Sequence, residues 1–299
     1  MATREPVANA EASIQDEINA LESRLEDARS RLQSAQLSHQ HEANSQQPSS
    51  LPVSTPLGSP THFLLLLSDS ALPLGAFAFS SGLESYLAHT PPRASSFSSF
   101  LPSSLSSFAS TTLPFVLAAH RCPSSIADLD DQLDAAVICT VGRRASVAQG
   151  RALLGIWERS FRSALPISPG ADDTAQVLRD YSAQLREESR VGADVPLVSA
   201  HLAPLFGAIC AIVGLSLRQT AYVFMLSHVK ALVSAAVRAS VFGPYHAQKV
   251  LAGEQVQRMI DVVIDREWNT PVEEAGQTVP VMDLWIGRHE VLYSRIFNS

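Results

Sequence analysis

The residues able to do chemistry in this chain gather in three stretches, and none of them spells a complete active site. The first runs Leu64-Leu65-Leu66-Leu67-Ser68-Asp69-Ser70-Ala71-Leu72-Pro73-Leu74-Gly75, then Ala76-Phe77-Ala78-Phe79-Ser80-Ser81-Gly82-Leu83-Glu84. It reads as an apolar helix, a Ser-Asp-Ser break with proline and glycine, and a second helix. Ser68, Asp69 and Ser70 can satisfy free amides at a helix end, and Gly75 permits close approach or an unusual backbone angle. As nucleophiles these serines lack a histidine base beside them.

The second stretch is a stripe, Ser227, Lys230, Ser234 and Arg238, spaced three, four and four residues apart on an otherwise apolar segment. Its charges must reach solvent, an internal acid or a partner surface, because an unpaired buried charge is costly. The third is 279–299, where Asp283, Arg288, His289, Glu290 and Arg295 are interleaved with Leu292, Tyr293, Ile296 and Phe297. The spacing of those four apolar residues predicts one face of a helical turn or two. A segment this apolar docks either on its own core or into a groove on a partner.

An acid/base enzyme would need Asp283, His289, Glu290 and the Ser-Asp-Ser loop to converge within hydrogen-bond reach. The sequence has no G-x-x-x-x-G-K-S/T loop, no G-x-G-x-x-G, no G-x-S-x-G elbow and no H-E-x-x-H. His228 lies on the apolar side of its helix and reads as a hydrogen-bonded structural residue; His39 and His41 read as a solvated pair in a polar linker. No metal or organic cofactor of its own is expected.

The elements that must position these groups are helical. A net charge of −7 argues against nucleic acid and anionic membranes as partners. Cys122, Cys139 and Cys210 are odd in number and far apart, and the N-terminus is acidic and polar; together they suggest a reducing compartment, with the cytosol as default. Val195–Leu217 lacks charge, yet Pro196 and Pro204 interrupt it, and Lys230 and Arg238 lie inside the next apolar run. A buried helical hairpin is expected over 202–242, not a membrane span.

Residues 1–38 carry a heptad seam, with Ile18, Leu25 and Leu32 at one core position and Ile14, Leu21, Ala28 and Ala35 at the other. The seam fits a weak zipper or a lone solvated helix. Residues 39–60, rich in Gln, Ser and Pro, read as a flexible linker. From 61 to 299 an all-α domain is expected. It includes a helix starting near Asp172 or Asp173 with Val177, Leu178, Tyr181 and Leu185 on one face, and a central buried helix at Arg218–Phe242. A further helical stripe runs through Val250, Val256, Met259, Ile260, Val263 and Ile264. Pro91–Pro114, Pro166–Gly170 and Gly192–Pro196 read as connections or helix boundaries.

The Ser68–Glu84 run resembles the signature of the UreF family of urease accessory proteins. So do Arg144-Ala145-Ser146-Val147-Ala148-Gln149-Gly150, the block from Ala235 through Arg238 and Gly243-Pro244 to Gln248, and His289-Glu290 followed by Tyr293-Ser294-Arg295-Ile296-Phe297 and Ser299. Phe79 stands where family members often carry histidine or tyrosine. Residues 1 to about 59 lie outside the resemblance, and longer connections suggest an elaborated eukaryotic, fungal-type member. The resemblance implies a non-catalytic, dimerising scaffold. It would bind UreH (also called UreD), recruit the GTPase UreG and apo-urease, and thereby deliver nickel that the complex handles. Carried over by position, Arg288, His289, Glu290, Tyr293, Arg295 and Phe297 belong to the UreH side. Arg238, Gln248 and the loop residues Ser68, Asp69, Ser70, Gly75, Gly82 and Glu84 belong to complex assembly.

Overall fold

A computed structural model describes residues 21–26, 28–31, 60–90, 93–165, 171–191 and 198–298, and among these the chain is helical with no strand. Two units separate, Met1–Thr55 and Pro56–Ser299. In the first, 21–26 and 28–31 are helical, and the seam residues Leu21 and Leu25 are exposed. Ala28 is exposed too, while Ile14, Ile18, Leu32 and Ala35, the linker through residue 59 with His39 and His41, 166–170, 192–197 and Ser299 lie outside the described residues, as do the side chains of Asp172 and Asp173.

The second unit contains α1 (Pro60–Ser68), α2 (Leu83–His89), α3 (Arg93–Arg121), α4 (Ile126–Ala136), α5 (Thr140–Ile156, running on through a π turn to Ala164) and α6 (Ala171–Val191). They are followed by α7 (Leu202–Ile212), α8 (Leu217–Arg238), α9 (Pro244–Ala252), α10 (Glu254–Glu267) and α11 (Val281–Arg288). α3 is the organising element, packed against α4, α7, α8 and α10.

This corrects the reading of Pro91–Pro114 as a connection: from Arg93 onward it belongs to a single 29-residue helix with Pro102 and Pro114 inside. Proline removes an amide and frees the carbonyl four residues back. For Pro114 that carbonyl is Ser110, and it is taken up by the Gly276 amide at 3.1 Å. Ser110 Oγ also meets Thr278 Oγ1 at 3.0 Å, so the proline creates a mooring for 275–278. Meanwhile Phe97, Leu101, Leu105, Ala109, Leu113 and Val116 keep helical spacing and are buried.

α7 and α8 form the expected buried hairpin. Ser216 and Gln219 close a reciprocal capping box at the start of α8. α8 is long and apolar enough to cross a membrane, and 61% of its most apolar window is buried in the fold, as in a core helix. It ends at Arg238, short of Phe242, where Ser240 turns to φ 59°. The stripe from Val250 to Ile264 is divided at Gly253, whose extended ψ of 140° starts α10 in a new direction. On α6, Leu178 and Tyr181 are buried with Val177 and Leu185 packed beside them, as their spacing predicts.

The start of α7 is held by acids of α4. Asp130, fully buried, accepts the Ser199, Ala200 and His201 amides at 2.5, 3.0 and 2.6 Å. His201 links Asp134 Oδ1 (2.8 Å from Nε2) to Ser146 Oγ (3.0 Å from Nδ1), and Ser146 Oγ accepts the Leu202 amide at 3.3 Å. Free amides at a helix start are thus satisfied by residues far away in sequence.

Candidate functional site

The Ser68–Glu84 run leaves α1 through a tight, left-handed path. Gly75, Ser81 and Gly82 have φ of 74°, 48° and 84°. The expectation for Gly75 is met, and Gly82 is the tighter position: a Cβ there would lie 3.0 Å from the Ile286 amide nitrogen of α11. Asp69 Oδ1 accepts the Ala71 amide at 2.9 Å, the local capping expected of it, while Ser68 Oγ instead donates to the Leu65 carbonyl at 3.0 Å. Ser70 is exposed.

The polar stripe of α8 holds this loop from within. Lys230 donates to the Ser68 carbonyl and Arg238 to the Phe77 carbonyl. Of the destinations the spacing left open, both charges take internal acceptors, here backbone carbonyls and not acids. Arg238 also lies 4.3 Å over the Phe297 ring.

Glu84 then gathers the far end of the sequence. Its Oε2 accepts from His289 Nε2 at 2.8 Å and from the Phe297 amide at 3.2 Å, and its Oε1 accepts the Ile296 amide at 2.7 Å. The Asn298 amide donates to the Ala78 carbonyl at 2.8 Å. His289 is fully buried and Phe297 nearly so, whereas Tyr293, Arg295 and Ile296 face outward. Leu292–Asn298 is an irregular arch, which corrects the expectation that Leu292, Tyr293, Ile296 and Phe297 form one helical face. Amides drawn to a carboxylate and a loop carbonyl are not available to a helix.

The neighbouring charges are paired as well. Glu290 is bridged by Arg144 of α5 and, at 3.7 Å, by Arg295; the Arg144 contact foremost holds its carboxyl below the usual carboxylate range. Arg288 donates to His89 Nε2 at 2.9 Å and lies 5.8 Å from the Trp285 ring centre. Gln248 is exposed on α9 and takes no part in these contacts. The structure therefore joins the loop, α5, α8 and the 289–298 arch at one place, with Gln248 standing apart. Arg144 went unassigned in the sequence because its carboxylate partner lies 146 positions away and leaves no local spacing signal.

The acid/base arrangement does not form. His289 turns to Glu84, Glu290 turns to Arg144 and Arg295, and neither is hydrogen-bonded to Asp283 among the described residues. Among the described residues no three His, Cys, Asp or Glu cluster to hold a metal ion.

Behind the loop lies a cavity of about 340 Å³, walled by Phe79 and Ser81 of the loop, Thr111 of α3, Ser146 of α5, His228 of α8 and Ile286 of α11. His228 stacks on Phe108 at 3.9 Å and shares a 3.0 Å hydrogen bond with Ser104 Oγ. Burial pushes its pKa down to about 3. A neutral, partnered imidazole fits the structural role read from its helix position.

With this geometry in place, comparison with known proteins is informative. The sequence pattern of the UreF family matches residues 93–255. An uncharacterized urease accessory protein UreF-like of Schizosaccharomyces pombe is 37% identical over 240 residues, 80% of this chain and 97% of the relative. Urease accessory protein F of Oryza sativa is 34% identical over 239 residues, 77% of this chain and 82% of the relative. UreF of the bacterium Paenarthrobacter aurescens is 31% identical over 236 residues, 78% and 95%. Matches that span most of both partners, and a helical fold in which the resembling blocks meet, lead to one conclusion: the chain belongs to the UreF family of urease accessory proteins.

Proposed function

We propose that this chain is a non-catalytic scaffold of urease maturation that joins a UreH (UreD) accessory protein to the GTPase UreG and apo-urease in the cytosol, so that nickel reaches the urease metallocentre as cargo. Membership of an accessory-protein family makes it a maturation factor and not an enzyme. The observation that carries the finer reading is the outer face of 281–296. Val281, Leu284, Val291, Tyr293 and Ile296 are exposed there, flanked by the exposed Arg288 and Arg295. Apolar residues grouped in one segment and edged by charge suit a protein interface.

In this reading Tyr293, Arg295 and Arg288 meet the UreH-type partner directly. His289, Glu84 and Phe297, being interior, shape the face from behind. Arg238 is committed to the Phe77 carbonyl and the Phe297 ring, so it steadies the loop and does not act as a mobile arginine finger toward the GTPase. The chain works as a homodimer, as the resemblance implies.

Deleting the gene tests this. Cells should then contain normal amounts of urease protein that is inactive and poor in nickel, and a chain truncated after Arg288 should fail to restore either property. Active urease with its full nickel content in the deleted cells would refute the proposal.

A further inference from the structure

We infer that Glu84 is the positioning residue of the docking face: it touches no partner itself but sets the arch 292–298 in the one shape that presents Tyr293 and Ile296. This rests on the docking role proposed above. The arch has no helix or strand of its own, and its described backbone bonds outside Glu84 are the Leu292 amide to the His289 carbonyl at 3.2 Å and the Asn298 amide to the Ala78 carbonyl at 2.8 Å. Its order therefore depends on outside acceptors. Glu84 supplies the densest of them, three donors on one carboxylate whose side chain is 12% exposed. Hydrogen bonds to an ionised acceptor are about twice as strong as neutral ones.

Glu84 is in turn fixed from its own side. It stands in the first turn of α2, and its amide donates to Ser80 Oγ at 3.4 Å. Gly82 lets α11 close on the turn just before it, which brings His289 to the carboxylate. Three consecutive amides, 296 to 298, are thus held by the loop, while Phe297 is driven into the interior under Arg238. Tyr293 and Ile296 project outward as a result. A glutamine at 84 keeps the size but replaces one acceptor oxygen by a donor, which opposes the N–H groups it faces.

The test uses the full chain and a purified UreD-type partner from the same source, with two readouts: amide hydrogen exchange resolved to the arch, and affinity. Glu84→Gln should raise exchange at Ile296 and Phe297 at least tenfold, leave the protected amides of α3, α7 and α8 unchanged, and weaken partner binding roughly tenfold. Glu84→Asp, which keeps the charge but shortens the reach, should shift both readouts the same way by a smaller factor; it serves if the glutamine variant does not fold. Unchanged exchange at 296–297 overturns the inference, and so does raised exchange with unaltered affinity. Tyr293→Ala and Ile296→Ala separate the two proposals. They should weaken binding while exchange at Phe297 stays as in the parent chain. If they bind as the parent does, the docking role fails, while the exchange data still decide what Glu84 holds.

Discussion

Asp130 and Glu84 are the same device used in two places. Each is a carboxylate that takes three donors from a distant part of the chain, Asp130 from the residues that start α7 and Glu84 from His289 and the arch amides of Ile296 and Phe297. They differ in what lies around them. Asp130 is sealed in the interior, where its donors have no alternative partner and it ties the start of α7 to α4. Glu84 stands at the surface edge, where water can reach the Ile296 amide once it is released, although His289 stays buried. The first is architecture, and its loss should be felt by the whole unit. The second orders a segment that, in the proposed function, meets a partner. Position, not bonding pattern, separates the two.

The comparison is broken most directly by removing each acid. Asp130→Ala strands three buried amides and should cost about 3 to 5 kcal/mol in chemical denaturation, whereas Glu84→Ala, which strands one buried imidazole, should cost about 1 to 2 kcal/mol. Equal losses would erase the distinction drawn here. Acid provides a second handle on the interior. The His228 pKa is depressed by burial to about 3, so the folded chain refuses a proton that the unfolded chain accepts near 6.5. The group contributes nothing well above pH 6.5 and destabilises the fold increasingly as pH falls from there toward 3. Between pH 6.5 and 5 the loss should be about 2 kcal/mol, and His228→Gln should flatten this part of the profile.

The smallest expected effects sharpen the surface half of the comparison. Gly75 and Gly82 both sit at positive φ, but a Cβ at Gly75 would meet open space and one at Gly82 would meet the backbone of α11. Gly75→Ala should therefore cost about 1 kcal/mol of backbone strain, measured by thermal unfolding. Gly82→Ala should cost about 2 kcal/mol, the excess reporting the fit between the loop and α11.

Much of this was legible in the residues, and the reasons for the misses are physical. The all-α class, the α7–α8 hairpin and the Ser-Asp-Ser break followed from apolar spacing and turn chemistry. The α3 helix was obscured because serine and proline dominate its composition. The spacing of Phe97, Leu101, Leu105 and Phe108 was the signal that outweighs them, and Pro114 is accommodated by a tertiary contact that composition does not reveal. The arch at 292–298 has a helix-like apolar pattern, yet Glu84 and Ala78 claim its amides from 212 to 220 positions upstream. The same holds for Asp130 and for Arg144 with Glu290. Acceptors that act across such separations leave no periodic trace, so local order can be read along the chain while its long-range staples cannot.

The span between Glu84 and Ile296, 212 positions, also has a meaning in time. At synthesis rates of about 5 to 20 residues per second, the acceptor waits roughly ten to forty seconds for its donors to leave the ribosome. The helices that build the core emerge during that wait, and the arch is completed after them. The contacts of Glu84 with His289, Ile296 and Phe297 are therefore the last of its bonds to close.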